Sequence, residues 1–301
     1  MTSFLITIFT IAEFKTLVAQ ISCIIPRASR CLASGSLIRS RHVTTVVFSR
    51  TADPAAVISF QPVSVDKAGC IVRERPTPVF IASGEGMPPV VWQPLVQSLQ
   101  ERGFSGLVCP FPQGFGDTEK IGHFYQQVIT TAQMTPPLMI ADSVATLGAF
   151  KFLESFSLSG LALLNPLPQE GEHSLQSINR LRQLYMHQAS NVQSTHVSNT
   201  HVARSAAQAV EDLKGITTAE GVVLEPRAVP MFVVLSDADT LLLGAPNGPI
   251  EKTLLHLCGL SEDEHERELL RLSGKPSQVF RASVSHSECI DALVDWLDEI
   301  A

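Results

Sequence analysis

From about residue 55 onward, short apolar runs alternate with longer stretches whose apolar residues recur at three- and four-residue spacing. Brief apolar runs read as buried strands and the longer spacing as amphipathic helices, so the pattern predicts an α/β fold: a mostly parallel central sheet covered by helices. The runs 57–65 and 70–73, joined by Asp66-Lys67-Ala68-Gly69, predict a hairpin, and 79–82 the next strand. Positions 90–102 have helical spacing and stop at Gly103; 106–109 then reads as a strand and 110–116 as a Pro/Gly-rich loop. The alternation continues with a helix over 121–133, a strand over 138–141, a helix over 144–156 and a strand over 161–164. Further on, 229–235 and 278–284 read as strands and 289–300 as a closing amphipathic helix.

Between Asn165 and Arg227 the rhythm stops, and a more polar segment with helical stretches such as 175–187 predicts a small helical lid inserted at about 166–228. Ser261-x-x-Glu264 has capping-box form, so the charge run 262–268 reads as a solvated helix face without chemistry.

At 301 residues and 45% hydrophobic content, the chain can bury a sizeable core, and one main domain over 51–301 is expected. Residues 1–50 differ from it: six Lys/Arg face one acid (+5), while the remaining 16 bases face 28 acids (−12). That segment is rich in Arg, Ser and Thr and has no acid between Glu13 and Asp53, the composition of an organelle transit peptide, mitochondrial or plastid. Its apolar run 4–12 is too short to span a bilayer, which takes about 20 residues, and no transmembrane helix is expected elsewhere. A body at −12, without Lys/Arg clusters interleaved with aromatics, argues against nucleic-acid binding. Six cysteines without a C-x-x-C pair fit a reduced interior.

The candidate chemistry begins where the strand 138–141 meets a helix. A serine hydroxyl is a weak nucleophile unless a base takes its proton and a tight turn exposes it. Such a turn needs small residues two before and two after the nucleophile, and Ala141-Asp142-Ser143-Val144-Ala145 supplies them. Asp142 is the rival nucleophile, but that register puts Ile140 and Val144 at the crowded positions; a helix N-cap is the alternative role for Ser143.

The segment resembles the nucleophile elbow of the α/β-hydrolase family, Gly-x-Ser-x-Gly, with alanines for the glycines. The resemblance covers roughly 55–300 and includes Trp92-Gln93-Pro94-Leu95 and the loop Gly114-Phe115-Gly116-Asp117-Thr118. It implies a Ser, Asp, His order. Asp239, with Asp237 second, lies in the acid turn after the strand 229–235, and His286 precedes the closing helix. It also implies an oxyanion hole from the backbone N–H groups of Val144 and Glu85, with Gly86 as the alternative to Glu85; Ser83 stands where relatives carry His.

The expected activity is hydrolysis of an ester or thioester of a small-molecule acyl substrate through an acyl-enzyme, with no cofactor. The alternative is a hydrolase-like binding or assembly subunit of an organelle complex, motivated by Ala141, Ala145 and Ser83 at positions where the family has other residues. His187, His196 and His201 lack H-E-x-x-H or carboxylates at ligand spacing, so no metal site is expected.

Overall fold

A computed structural model describes residues 57–65, 71–87, 89–112, 117–134, 136–167, 178–180, 182–183, 229–236, 248–258, 269–272 and 287–301. Among them seven strands form one sheet in the order β1-β3-β2-β4-β5-β6-β7. They are β1 (Ile58–Phe60), β2 (Val79–Ala82), β3 (Gly106–Cys109), β4 (Leu138–Asp142), β5 (Gly160–Leu164), β6 (Met231–Ser236) and β7 (Leu269–Leu272). All neighbours run parallel except β1 against β3. The helices are α1 (Gln93–Glu101, entered through a 3-10 turn at Pro89–Trp92), α2 (Thr118–Thr131), α3 (Ala145–Leu153), α4 (Pro249–Leu257) and α5 (Ser287–Ile300).

Successive strand side chains point to opposite faces, and here both faces are covered. Phe80, Ala82, Met139 and Ala141 pack with Tyr125 of α2 and Leu147 and Phe150 of α3. Val79, Ile81, Leu138 and Ile140 pack on the other face with Trp92, Leu95 and Leu99 beside α1 and Leu293 and Leu297 of α5. Burial on two sides is why these strands read as unbroken apolar runs rather than as alternation.

The strands at 79–82 and 106–109 fall where the sequence predicts them, and those at 138 and 161 gain one residue each. Helix α2 begins three residues earlier than its apolar spacing, because Asp117 caps it: its Oδ1 accepts from the Glu119 N–H at 2.9 Å. Among the described residues the two arms of the predicted hairpin meet at their ends, through an antiparallel bridge from Val65 to Ile71 and the Val72 N–H donating to the Ser64 carbonyl at 3.3 Å. Earlier in the first arm, β1 pairs with β3, where Phe60 is fully buried beside Trp92 and Phe104. Strand β7, beside β6, directly follows the charge run 262–268, and the sequence pattern does not predict it as a strand. Helix α4, with Pro in its first turn, has no counterpart in the sequence reading. No helix among the described residues is long and apolar enough to cross a membrane. The 1–50 segment, most of the expected lid, the run 262–268 and the expected strand 278–284 lie outside the described residues.

The chain leaves β2 for β3 on one side and then returns to β4 on the other. The carboxyl ends of β2 and β4 therefore diverge at a switch point, the place where open α/β sheets bind ligands.

Candidate active site

Strand β4 ends at Asp142 and helix α3 starts at Ala145, leaving Ser143 to make the turn at φ +53°. A non-glycine residue in this left-handed region costs about 1–2 kcal/mol, so its surroundings must over-determine it. They do. The Ser143 N–H donates to the Leu164 carbonyl at 2.8 Å, and the Ser143 carbonyl accepts from the Thr146 N–H at 3.1 Å. Thr146 Oγ1 donates to the same carbonyl at 2.6 Å and accepts from the Leu167 N–H at 3.2 Å. Ala141 and Ala145, the two small flanks, are both fully buried.

Both alternatives for Ser143 can be compared with this geometry. The N-cap of α3 is Val144, with no side-chain capping bond, so the serine hydroxyl does not serve as a cap. Asp142 is the last strand residue and lies outside the left-handed region, which puts the elbow at Ser143. The amino end of α3, with Val144 at its cap, is also a favourable place for developing negative charge.

Two residues beyond β2, Gly84–Met87 form a turn closed by Met87 N–H to Gly84 carbonyl at 3.4 Å. Gly86 sits at φ +59°, the left-handed third position that favours glycine. The turn brings Glu85 beside the elbow, because β2 and β4 are adjacent and Ala82 is in register with Ala141. The Glu85 side chain, not only its backbone, meets the serine: Ser143 Oγ donates to Glu85 Oε1 at 3.1 Å, with both residues buried. Sequence reasoning assigned Glu85 a backbone role and missed this contact.

Two more polar contacts frame the site. Trp92 Nε1 donates to Ser83 Oγ at 2.9 Å, joining two positions that the sequence singled out separately. Asn165 Nδ2 donates to Asp142 Oδ1 at 3.2 Å. The signal for Asn165 was present but unused: a polar residue directly after an apolar strand and before a proline.

Burial dominates the titration of the neighbouring groups. It raises Tyr125 well above its ordinary range, with the charges of Cys109 and Glu85 adding to the effect. Burial likewise raises Cys109 and pushes Cys258 up to about 12. Cys289 on α5 is also pushed up to about 12, first by burial, then by the Asp142 and Glu288 carboxylates.

Asp237, Asp239 and His286 lie outside the described residues, as do His187, His196 and His201. Among the described residues no cluster of three His, Cys, Asp or Glu could hold a metal ion.

No family model and no curated protein matches this sequence. Solved structures do. A carboxylesterase of Nitrososphaera gargenis is 13% identical, with a TM-score of 0.56 over 84% of this chain and 98% of that one. MenH from S. aureus is 10% identical, with a TM-score of 0.54 over 81% and 98%. The RedJ thioesterase from the prodiginine biosynthetic pathway of Streptomyces coelicolor is 13% identical, with a TM-score of 0.53 over 84% and 97%. The chain has the α/β-hydrolase fold.

Proposed function

We propose that this protein is a serine hydrolase acting on an ester or thioester of a small-molecule acyl substrate, with Ser143 as nucleophile. The observation that carries the proposal is Ser143 at φ +53° between β4 and α3, at the switch point of the sheet. A serine placed there has its hydroxyl beside the start of a helix, where an oxyanion is stabilised.

In this reading Ser143 attacks the acyl carbonyl, and the oxyanion accepts from the N–H groups of Val144 and Glu85, with Gly86 the alternative to Glu85. Water then releases the acid. His286 is the histidine base and Asp239, with Asp237 second, its orienting carboxylate. The described flanks support both. Asp239 comes three residues after β6, which neighbours β5, and Cys289, three residues after His286, feels the charge of Asp142 beside Ser143.

The test is labelling by a fluorophosphonate probe, joined to turnover of short-chain p-nitrophenyl esters and acyl thioesters. Wild type should label and turn over, Ser143→Ala should do neither, and His286→Ala should lose turnover. Absence of labelling in correctly folded wild type would overturn the hydrolase reading and leave that of a hydrolase-like binding subunit.

A further inference from the structure

We propose that the Glu85 side chain selects the acyl group: the protein acts on esters or thioesters of hydroxyacyl groups, whose hydroxyl, on the carbon next to the carbonyl or one further, donates to Glu85 Oε1. The inference rests on Ser143 being the nucleophile and His286 its base, and it names the substrate class of that site. Its basis is a carboxyl oxygen 3.1 Å from the attacking oxygen, between two residues that are 3% and 1% exposed.

A polar group so deeply buried is tolerated through its hydrogen bonds, and in the protein without substrate the Ser143 hydroxyl supplies one of them. A carboxyl group has an accepting oxygen whether it is ionised or neutral, so the contact does not depend on its charge. Acylation ends it. The Oγ–H bond is replaced by a bond from Oγ to the acyl carbon, and the hydrogen passes through His286 to the leaving oxygen or sulfur. Acylated Ser143 has no hydrogen to give, and by then the leaving group has gone. A substrate donor that takes its place must therefore belong to the acyl group.

Reach and rigidity point the same way. A hydroxyl on the second or third carbon of the acyl group is only a few bonds from Oγ, close enough to bond an atom 3.1 Å from Oγ. The turn that carries Glu85 cannot sink away from Ser143, because it already rests on Asp142: a Cβ on Gly84 would come within 2.4 Å of Asp142 Oδ2. Neighbouring polar side chains are engaged with other groups. Asp142 Oδ1 accepts from Asn165 Nδ2, Ser83 Oγ accepts from Trp92 Nε1, and Thr146 Oγ1 donates to the Ser143 carbonyl. An acyl chain of methylene groups alone would set apolar surface against the Glu85 carboxyl and make no bond to it.

The test compares the N-acetylcysteamine thioesters of butyric, 2-hydroxybutyric and 3-hydroxybutyric acid, which share a leaving group and a chain length. For wild type, kcat/KM should be higher by about tenfold or more for one of the hydroxyacyl thioesters than for the butyryl thioester. Glu85→Met, similar in length but without a carboxyl group, should bring that ratio to about one. The ratio is read within each protein, so a general loss of activity in the variant does not disturb it. A wild-type ratio of about one or below, or a wild-type preference kept in full by Glu85→Met, overturns selection by Glu85. So does a wild type that labels with fluorophosphonate but turns over none of the three thioesters. In each case labelling of Ser143 leaves the hydrolase standing, whereas absence of labelling in folded wild type overturns both. Should Glu85→Met fail to fold, Glu85→Ala carries the same comparison.

Discussion

Asp142 and Asn165 lie one past the other at the ends of adjacent strands, and the Asn165 amide donates to the Asp142 carboxyl at 3.2 Å. Each marks a reversal. Ser143, after Asp142, is at φ +53°, and Asn165 itself is at φ +48°; their N–H groups reach across to Leu164 and Val234 at 2.8 and 3.0 Å. The bond thus ties two left-handed strand ends together and braces the elbow. Asn165→Ala removes a hydrogen bond to a carboxyl group and places a β-carbon at positive φ. It should destabilise the protein by about 2–4 kcal/mol in urea unfolding. Asn165→Gly loses the same bond but not the backbone compatibility, and should be less damaging by about 1 kcal/mol.

The strain at Ser143 is separable from its chemistry. Alanine and glycine both remove the hydroxyl and its bond to Glu85, so they differ mainly in tolerance of φ +53°. Ser143→Gly should exceed Ser143→Ala in stability by about 0.5–1 kcal/mol, the left-handed cost less the greater freedom of unfolded glycine. Both should be inert to a fluorophosphonate. Parallel urea titrations measure the difference, and equal stabilities would mean the turn relaxes once the hydroxyl is gone.

What was legible in the sequence followed from local pattern. Strands β2, β3, β4 and β5 are buried on both faces and so appear as apolar runs, and the elbow appears as a serine between small residues where such a run ends. The Glu85 contact could not be read that way. It joins residues 58 apart, and exists because β2 and β4 are neighbours and the Gly84–Met87 turn folds back. The same holds for the pairing of β1 with β3, to which the turn signal at 66–69 gives no clue, and for β7, which follows a charge run of helical appearance. Long-range adjacency, not propensity, decides each of these.

Gly84 tests how tightly the site is built. A Cβ there would lie 2.4 Å from Asp142 Oδ2, 3.3 Å from the Asp142 carbonyl and 3.4 Å from Ser143 Cβ. The Asp142 side chain cannot swing aside cheaply, since it is buried and held by Asn165. Gly84→Ala should therefore cost about 1–3 kcal/mol and displace the turn that carries Glu85. Unfolding curves check the first effect, and the rate of fluorophosphonate labelling, which should fall well below wild type, the second.

Cys289 gives a prediction about pH. Its thiol is 1% exposed and pushed up to about 12 from an ordinary 9.0, by burial first and by the Asp142 and Glu288 carboxylates after it. In the unfolded chain the same thiol titrates near its ordinary value, so between roughly pH 9 and 12 the unfolded state has lost a proton that the folded state keeps. The sign is therefore destabilising as pH rises. The contribution is fully present below pH 9 and is lost through the window, at up to about 1.4 kcal/mol per pH unit for each such thiol. Cys258, also pushed up to about 12, adds a parallel loss. Urea midpoints measured from pH 8 to 11 should fall more steeply for wild type than for Cys289→Ala, although the variant starts lower because it leaves a small cavity. The native thiol should also resist alkylation below pH 10, since the thiolate is the reactive species and almost none forms while the fold is intact. Identical slopes in the two proteins would show that Asp142 and the buried surroundings of α5 do not hold the Cys289 proton.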